Sequence, residues 1–260
     1  MRKTPSARLS DTAAPRRGGP VAPQADDFRS RVAAQKRERM RERLIEATLQ
    51  AYAGSTPGLR PVIDDVVRVA GVSRGSFYKY FDSIEDILPE LGQRMADEMV
   101  DAFQRLFGDV ADPALRIAAG PLLSFCRSAM DPTHVACTES VDFVAYFEHG
   151  RLHGMTVTDQ LLAARQAGVL CFDSLEAAID LVTGATMEGS RRVQRAPRLN
   201  VVHAQALTVA ILCGLGMARA SAQTAADQAW QLLMARCADL PWWRPGQLQP
   251  IDGSDAVQQR

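Results

Sequence analysis

The chain has 260 residues, 47% of them hydrophobic, and its 30 Lys plus Arg balance 30 Asp plus Glu to a formal net charge of zero. This fits a soluble globular protein of one or two domains. No apolar run reaches the roughly 18 residues that span a bilayer, and the N-terminus lacks the apolar block of a secretory signal. A cytoplasmic location with no membrane partner is therefore expected.

The neutral total hides an asymmetry. Residues 1–80 carry 16 Lys plus Arg against 8 Asp plus Glu, whereas residues 81–260 carry 14 against 22. Such a charge dipole directs attention to a polyanionic partner near the N-terminus.

In chain order, residues 1–28 are rich in Pro, Gly, Ala and Arg and poor in large apolar side chains. Burial there cannot offset the entropy of ordering, so a disordered basic arm is expected. From about Arg31 to Ala53, Met40, Leu44, Ile45, Leu49 and Tyr52 recur at helical spacing among charged residues and predict an amphipathic helix. The turn residues of GSTPG, Gly54 to Gly58, end it. Pro61 suits the first position of a second helix whose apolar face holds Ile63, Val66, Val67 and Ala70. Gly71 can close that helix in the left-handed conformation, and Ser73 can cap the next. Two helices joined by so short a glycine-containing turn form a helix-turn-helix. Val72 and Phe77 would fill the angle between them, leaving Arg74, Ser76, Tyr78, Lys79 and Tyr80 around the exposed start of the second. The following SIEDIL predicts another helix, with Ser83 and Asp86 resembling a capping box.

The rest also reads as helices. Asp112-Pro113 and Asp131-Pro132 are cap and first-turn pairs, predicting helices over 113–130 and 132–147, with Gly120-Pro121 kinking the first. A further helix ends near Gly168, and a longer one follows, capped by Asp173 or Ser174. An apolar run spans Asn200 to Met217, and Ser221 or Thr224 begins a last helix. Five widely spaced cysteines, Cys126, Cys137, Cys171, Cys213 and Cys237, suit free buried thiols. The nearest approach to a metal-ligand set is His149 and His153 with Glu148 and Cys137. Gly150 and Gly154 mark that stretch as a loop, so no metal site is assigned. No Gly-rich phosphate loop, GxSxG or HExxH is present, so no catalytic residues and no cofactor are expected.

The segment IDDVVRVAGVSRGSFYKYFDSIEDIL, Ile63 to Leu88, resembles the DNA-binding domain of the tetracycline-repressor (TetR) family: an apolar pair, Ala-Gly-Val-Ser, a Gly-Ser/Thr-aromatic-Tyr element, and a Phe before a capped helix. The resemblance implies an all-α protein with an N-terminal three-helix helix-turn-helix domain followed by a helical ligand-binding and dimerisation domain. On that basis the boundaries are a basic arm over 1–28, a DNA-binding domain over 29–92, an effector and dimerisation domain over 93–240, and a flexible tail over 241–260.

It further implies DNA contacts at Ser76, Tyr78 and Tyr80, with Tyr78 donating to phosphate, and at the variable positions Arg74 and Lys79; Arg60 adds positive charge nearby. Arginine can pair two acceptors of guanine, so Arg74 is expected to set sequence preference. The chain departs from the family pattern at Ile84, where relatives often carry lysine, and at Val62 and Asp64, followed by Asp65; the two carboxylates suit the helix dipole yet would repel phosphate. RQAGVLCFDSLEAAIDLVTGA is similar to the element preceding the family's dimerisation helices. A homodimer through Leu175 to Val193 and Val201 to Met217 is expected, with Ala177, Ala178, Gly184, Ala185, Gly214 and Gly216 allowing close approach. Phe125, Cys126, Phe143, Tyr146, Phe147, Met155 and Met187 could line a pocket for an unknown small-molecule effector, with His134, Glu139 or Asp142 as polar contacts. The implied function is a repressor on double-stranded DNA with a near-palindromic operator. The alternative is a helical ligand-binding or scaffold protein with a weakened helix-turn-helix.

Overall fold

A computed structural model describes residues 24–55, 60–131, 156–196 and 198–248, with side chains from residue 30 onward. Its contacts divide into two units, Met1–Glu42 and Arg43–Arg260.

The described part of the first unit is the start of α1, Gln24–Gly54. The helix begins seven residues earlier than the expected Arg31, so the anticipated arm boundary at residue 28 falls inside it. No apolar stripe marks this start: Gln24–Ser30 holds a single large apolar residue, Phe28. From Ser30 to Glu42 nearly every residue is exposed, with only Val32, Met40 and Arg41 half-buried.

Within the second unit α1 turns apolar, and Leu44, Ile45, Ala51 and Tyr52 enter a core with Val66, Val67, Phe77, Phe81, Ile87 and Leu91. That core joins the end of α1 to α2 (Ile63–Ala70), α3 (Arg74–Phe77) and the first half of α4 (Leu88–Phe107). Two starts differ from expectation. Helix α2 begins at Ile63, leaving buried Pro61 in the approach, because the Asp65 carboxylate accepts from the Val62 N–H at 3.1 Å and fixes the first turn there. Helix α4 begins at Leu88, the last residue of SIEDIL, rather than at its Ser83. Asp86 still reaches back as foreseen, accepting from the Asp82 and Ser83 N–H groups at 2.9 Å each, but it closes a turn.

A second core runs from Met99 to Trp242. At its centre α5 (Pro113–Met130) packs against α4, α6 (Val157–Gln166), α7 (Leu175–Gln194), α8 (Val201–Gly214) and α9 (Arg219–Arg236). Asp112 caps α5 by accepting from the Ala114 N–H at 2.8 Å, and the helix continues through Gly120-Pro121. Ser174 caps α7 and Asn200 caps α8. Helix α9 starts at Arg219 with no side-chain cap, so Ser221 and Thr224 lie inside it; Thr224 Oγ1 donates back to the Ala220 carbonyl at 3.0 Å. The expected helix over 132–147 lies outside the described residues.

Arginines close the ends. Arg236 donates to the Leu106 carbonyl at 2.6 Å and pairs with Asp109, while Arg116 donates to the Phe107 carbonyl at 2.9 Å. The Leu106 carbonyl is one that the last turn of α4 leaves unpaired, while the Phe107 carbonyl also accepts from the Val110 N–H at 3.1 Å. Buried Arg127 ties α5 to Glu98 of α4 at 3.1 Å, pairs with Asp131 and lies over the Trp242 ring at 5.3 Å. Of the described cysteines, Cys126 and Cys237 are buried as expected, Cys213 is half-buried, and Cys171 is exposed on the connector before α7, contrary to expectation. No described helix is long and apolar enough to cross a membrane.

Candidate DNA-binding site

The turn between α2 and α3 depends on Gly71, whose φ of 62° and ψ of 40° lie in the left-handed region. A Cβ there would also lie 3.1 Å from Arg43 Nη2. The chain then extends through Ser73, whose Oγ accepts from the Ser76 N–H at 3.2 Å and starts α3. Helix α3 is a single turn, carried on by turns over Tyr78 to Tyr80. Phe77 is fully buried, with its ring edge-on to Tyr78 at 5.7 Å and tilted against Phe81 at 6.1 Å. Val72 packs half-buried on the same core.

With Phe77 anchored, its neighbours along the chain face water. Tyr78 is 53% exposed, Arg74 and Lys79 are exposed, and Ser76 is half-buried with its hydroxyl 3.0 Å from that of Ser73. Tyr80 is half-buried and packs against the core, so its ring also has a structural part. Arg60 is exposed just before α2, whereas Ile84 is a core residue at 7% exposure.

The two acidic residues at the start of α2 are both engaged. The Asp65 carboxyl accepts from the Val62 N–H and from Arg68 Nη2 at 2.8 Å, and these bonds hold it below the usual carboxylate range. Asp64 takes Arg74 side-on: Arg74 Nε donates to Asp64 Oδ1, and Arg74 Nη2 donates to Asp64 Oδ2 at 2.5 Å. In the sequence Asp64 reads as a charge that suits the helix dipole and repels phosphate, not as a partner of Arg74. The missed signal was an arginine ten residues downstream, across a turn that folds α3 back beside the start of α2.

In the second core, Phe125 and Cys126 are buried, and burial pushes the Cys126 thiol well above its usual range. Met187 is half-buried on α7. The Phe125 ring packs so closely on α7 that a Cβ on Gly189 would lie 2.5 Å from it and 2.6 Å from Leu207 of α8. Among the described residues, Thr186 Oγ1 and His203 Nε2 are enclosed without a hydrogen-bond partner. Phe143, Tyr146, Phe147 and Met155 lie outside the described residues, as do His134, Glu139, Asp142 and the His149/His153 group. Among the described residues, no cluster of three His, Cys, Asp or Glu could hold a metal ion.

Helices α7 and α8 expose a row of small and apolar side chains. On α7 these include Ala177, Leu181 and Gly184, and on α8 Val202, Ala206, Ala210 and Gly214. Not every expected small residue lies there: Ala178 is buried, Ala185 packs on the core, and Gly216 sits in a turn at φ 87°.

The described residues thus place a helix-turn-helix before a larger helical core. Residues 56–91 match the family model for bacterial regulatory proteins of the tetR family. The chain's fold is similar to that of RolR in complex with the ligand resorcinol, at 21% identity and a TM-score of 0.55, covering 75% of this chain and 96% of that one. RolR without ligand is also matched, at 18% identity and a TM-score of 0.48, over 72% and 96% of the two chains. No curated protein matches the chain.

Proposed function

We propose that the protein is a sequence-specific DNA-binding repressor that acts as a homodimer and is released by a small-molecule effector. The observation that carries this reading is the exposed group on and just after α3. Arg74, Tyr78 and Lys79 stand out from a turn whose only fully buried side chain is Phe77, so Tyr78, Lys79 and the edge of Arg74 that Asp64 leaves open can meet a ligand. Hydroxyls and cations of this kind position a phosphate backbone, and arginine reads base edges. Arg60, Ser76 and Tyr80 flank the group.

On this reading residues 29–92 form the DNA-binding domain and 93–240 the effector and dimerisation domain. Two copies pair through the exposed faces of α7 and α8. They present their α3 turns about 34–36 Å apart to a near-palindromic operator. The effector enters beside Phe125, Cys126 and Met187, together with Phe143, Tyr146, Phe147 and Met155. It weakens DNA binding through its differential affinity for the two states of the dimer. RolR's ligand makes resorcinol a reasonable first probe.

The test is fluorescence anisotropy of the full chain on duplexes tiling the DNA upstream of its own gene, with scrambled competitor. One competitor-resistant tile containing a near-palindrome supports a repressor-type regulator. A second reading, a scaffold with a weakened helix-turn-helix, is favoured by Asp64, Asp65 and the buried Ile84, where relatives often carry lysine. A stable dimer that binds no duplex would establish it.

A further inference from the structure

We propose that Asp64 is a specificity-determining residue, which grips one edge of the Arg74 guanidinium and leaves its other edge free as a two-pronged reader of guanine. The inference rests on the DNA-binding reading above and adds to it a positioning residue and a base identity.

The five N–H groups of an arginine are fixed in one plane. Asp64 engages Nε through Oδ1 and Nη2 through Oδ2. A bond to Nε can be made only along the side edge of the guanidinium. Once that edge is used, both protons of Nη1 and the second proton of Nη2 remain. One from each nitrogen points off the far end of the group in parallel. Guanine offers two acceptors, O6 and N7, on its major-groove edge, which matches that fork. Adenine offers N7 beside an N6 donor, which opposes one of the prongs, and cytosine presents a donor alone.

The pair is not explained by stability. Its side chains are 62% and 59% exposed, and ion pairs so exposed contribute little to folding. What it restricts is the orientation of a long, flexible side chain at the start of α3. The neighbouring charges do not compete for it: Asp65 is engaged by Arg68 and the Val62 N–H. The Asp64 carboxylate also repels phosphate, so it disfavours use of Arg74 as a general backbone contact.

The experiment uses the full chain and a duplex pool randomised across one half-site, with bound sequences counted for wild type, Asp64→Asn and Arg74→Lys. Circular dichroism confirms that each variant keeps its helicity. Wild type is expected to prefer guanine at one position by roughly tenfold or more. Arg74→Lys, a point charge without the fork, loses that preference at the same position. Asp64→Asn weakens it there several-fold, with other positions unchanged and binding to scrambled duplex equal or tighter. A guanine preference that survives Asp64→Asn, or one lost at a different position from that affected by Arg74→Lys, overturns the inference while leaving the DNA-binding reading intact. A wild type that enriches no sequence overturns both.

Discussion

Tyr78 and Gly189 represent two ways in which a single side chain matters here. Tyr78 carries an exposed hydroxyl on a ring braced against Phe77. Replacing it with Phe keeps the ring and removes one hydrogen bond. We expect affinity for every duplex to fall about fivefold, the effect of one typical hydrogen bond, with base preference unchanged; anisotropy on operator and scrambled duplexes checks both. Gly189 is the opposite case, defined by what it lacks. Phe125 and Leu207 occupy the space that a Cβ would need, and Phe125 is only 1% exposed and cannot easily move aside. Gly189→Ala should cost about 1–3 kcal/mol in thermal or denaturant unfolding. The exposed group at 74–80 was legible in the sequence because Phe77 at its centre reads as core and the polar side chains around it do not. The Arg74–Asp64 pair was not legible: it joins residues from different helices, and only the geometry of the turn brings them together.

At the scale of elements, some boundaries with a side-chain cap could be read directly, although the Asp65 bond that starts α2 was not. Helix α5 runs over the predicted 113–130 because Asp112-Pro113 states its start in local chemistry, and for α7 the cap is Ser174, one of the two residues expected there. Starts without such a signal were missed. Helix α9 follows Ala218 with no side-chain cap, and the first turns of α1 lack an apolar face. The exposed row on α7 and α8 carries its own prediction. Leu181 is 37% exposed beside Gly214, and the proposed dimer buries it. Leu181→Arg places a charge in that contact, so sedimentation should show monomer at concentrations where wild type is a dimer, with helicity retained. Operator affinity should fall with it, since each subunit holds only a half-site.

For the whole molecule, the acid response follows from carboxylates held by donors in the folded state. Asp65 is held low by the Val62 N–H and Arg68, Asp109 by Arg236, and Glu176 by its own backbone N–H and the Ser174 hydroxyl. A folded pKa below the unfolded one contributes stability that is present above the unfolded value and lost as pH falls through the folded value. Thermal melts should therefore show a nearly constant transition from neutral pH to about pH 5 and a declining one below about pH 4. An unchanged melting temperature at pH 3 would contradict this. The contrast among the cysteines gives the chain a further use. Cys126 and Cys237 are buried, whereas Cys171 is exposed on backbone held to the end of α8 by a 2.9 Å bond from its N–H to the Leu215 carbonyl. With Cys137 and Cys213 replaced by serine, a thiol-reactive dye would report from one fixed place per subunit, turning an unmodified feature of the fold into a spectroscopic ruler for pairing and for effector-driven change.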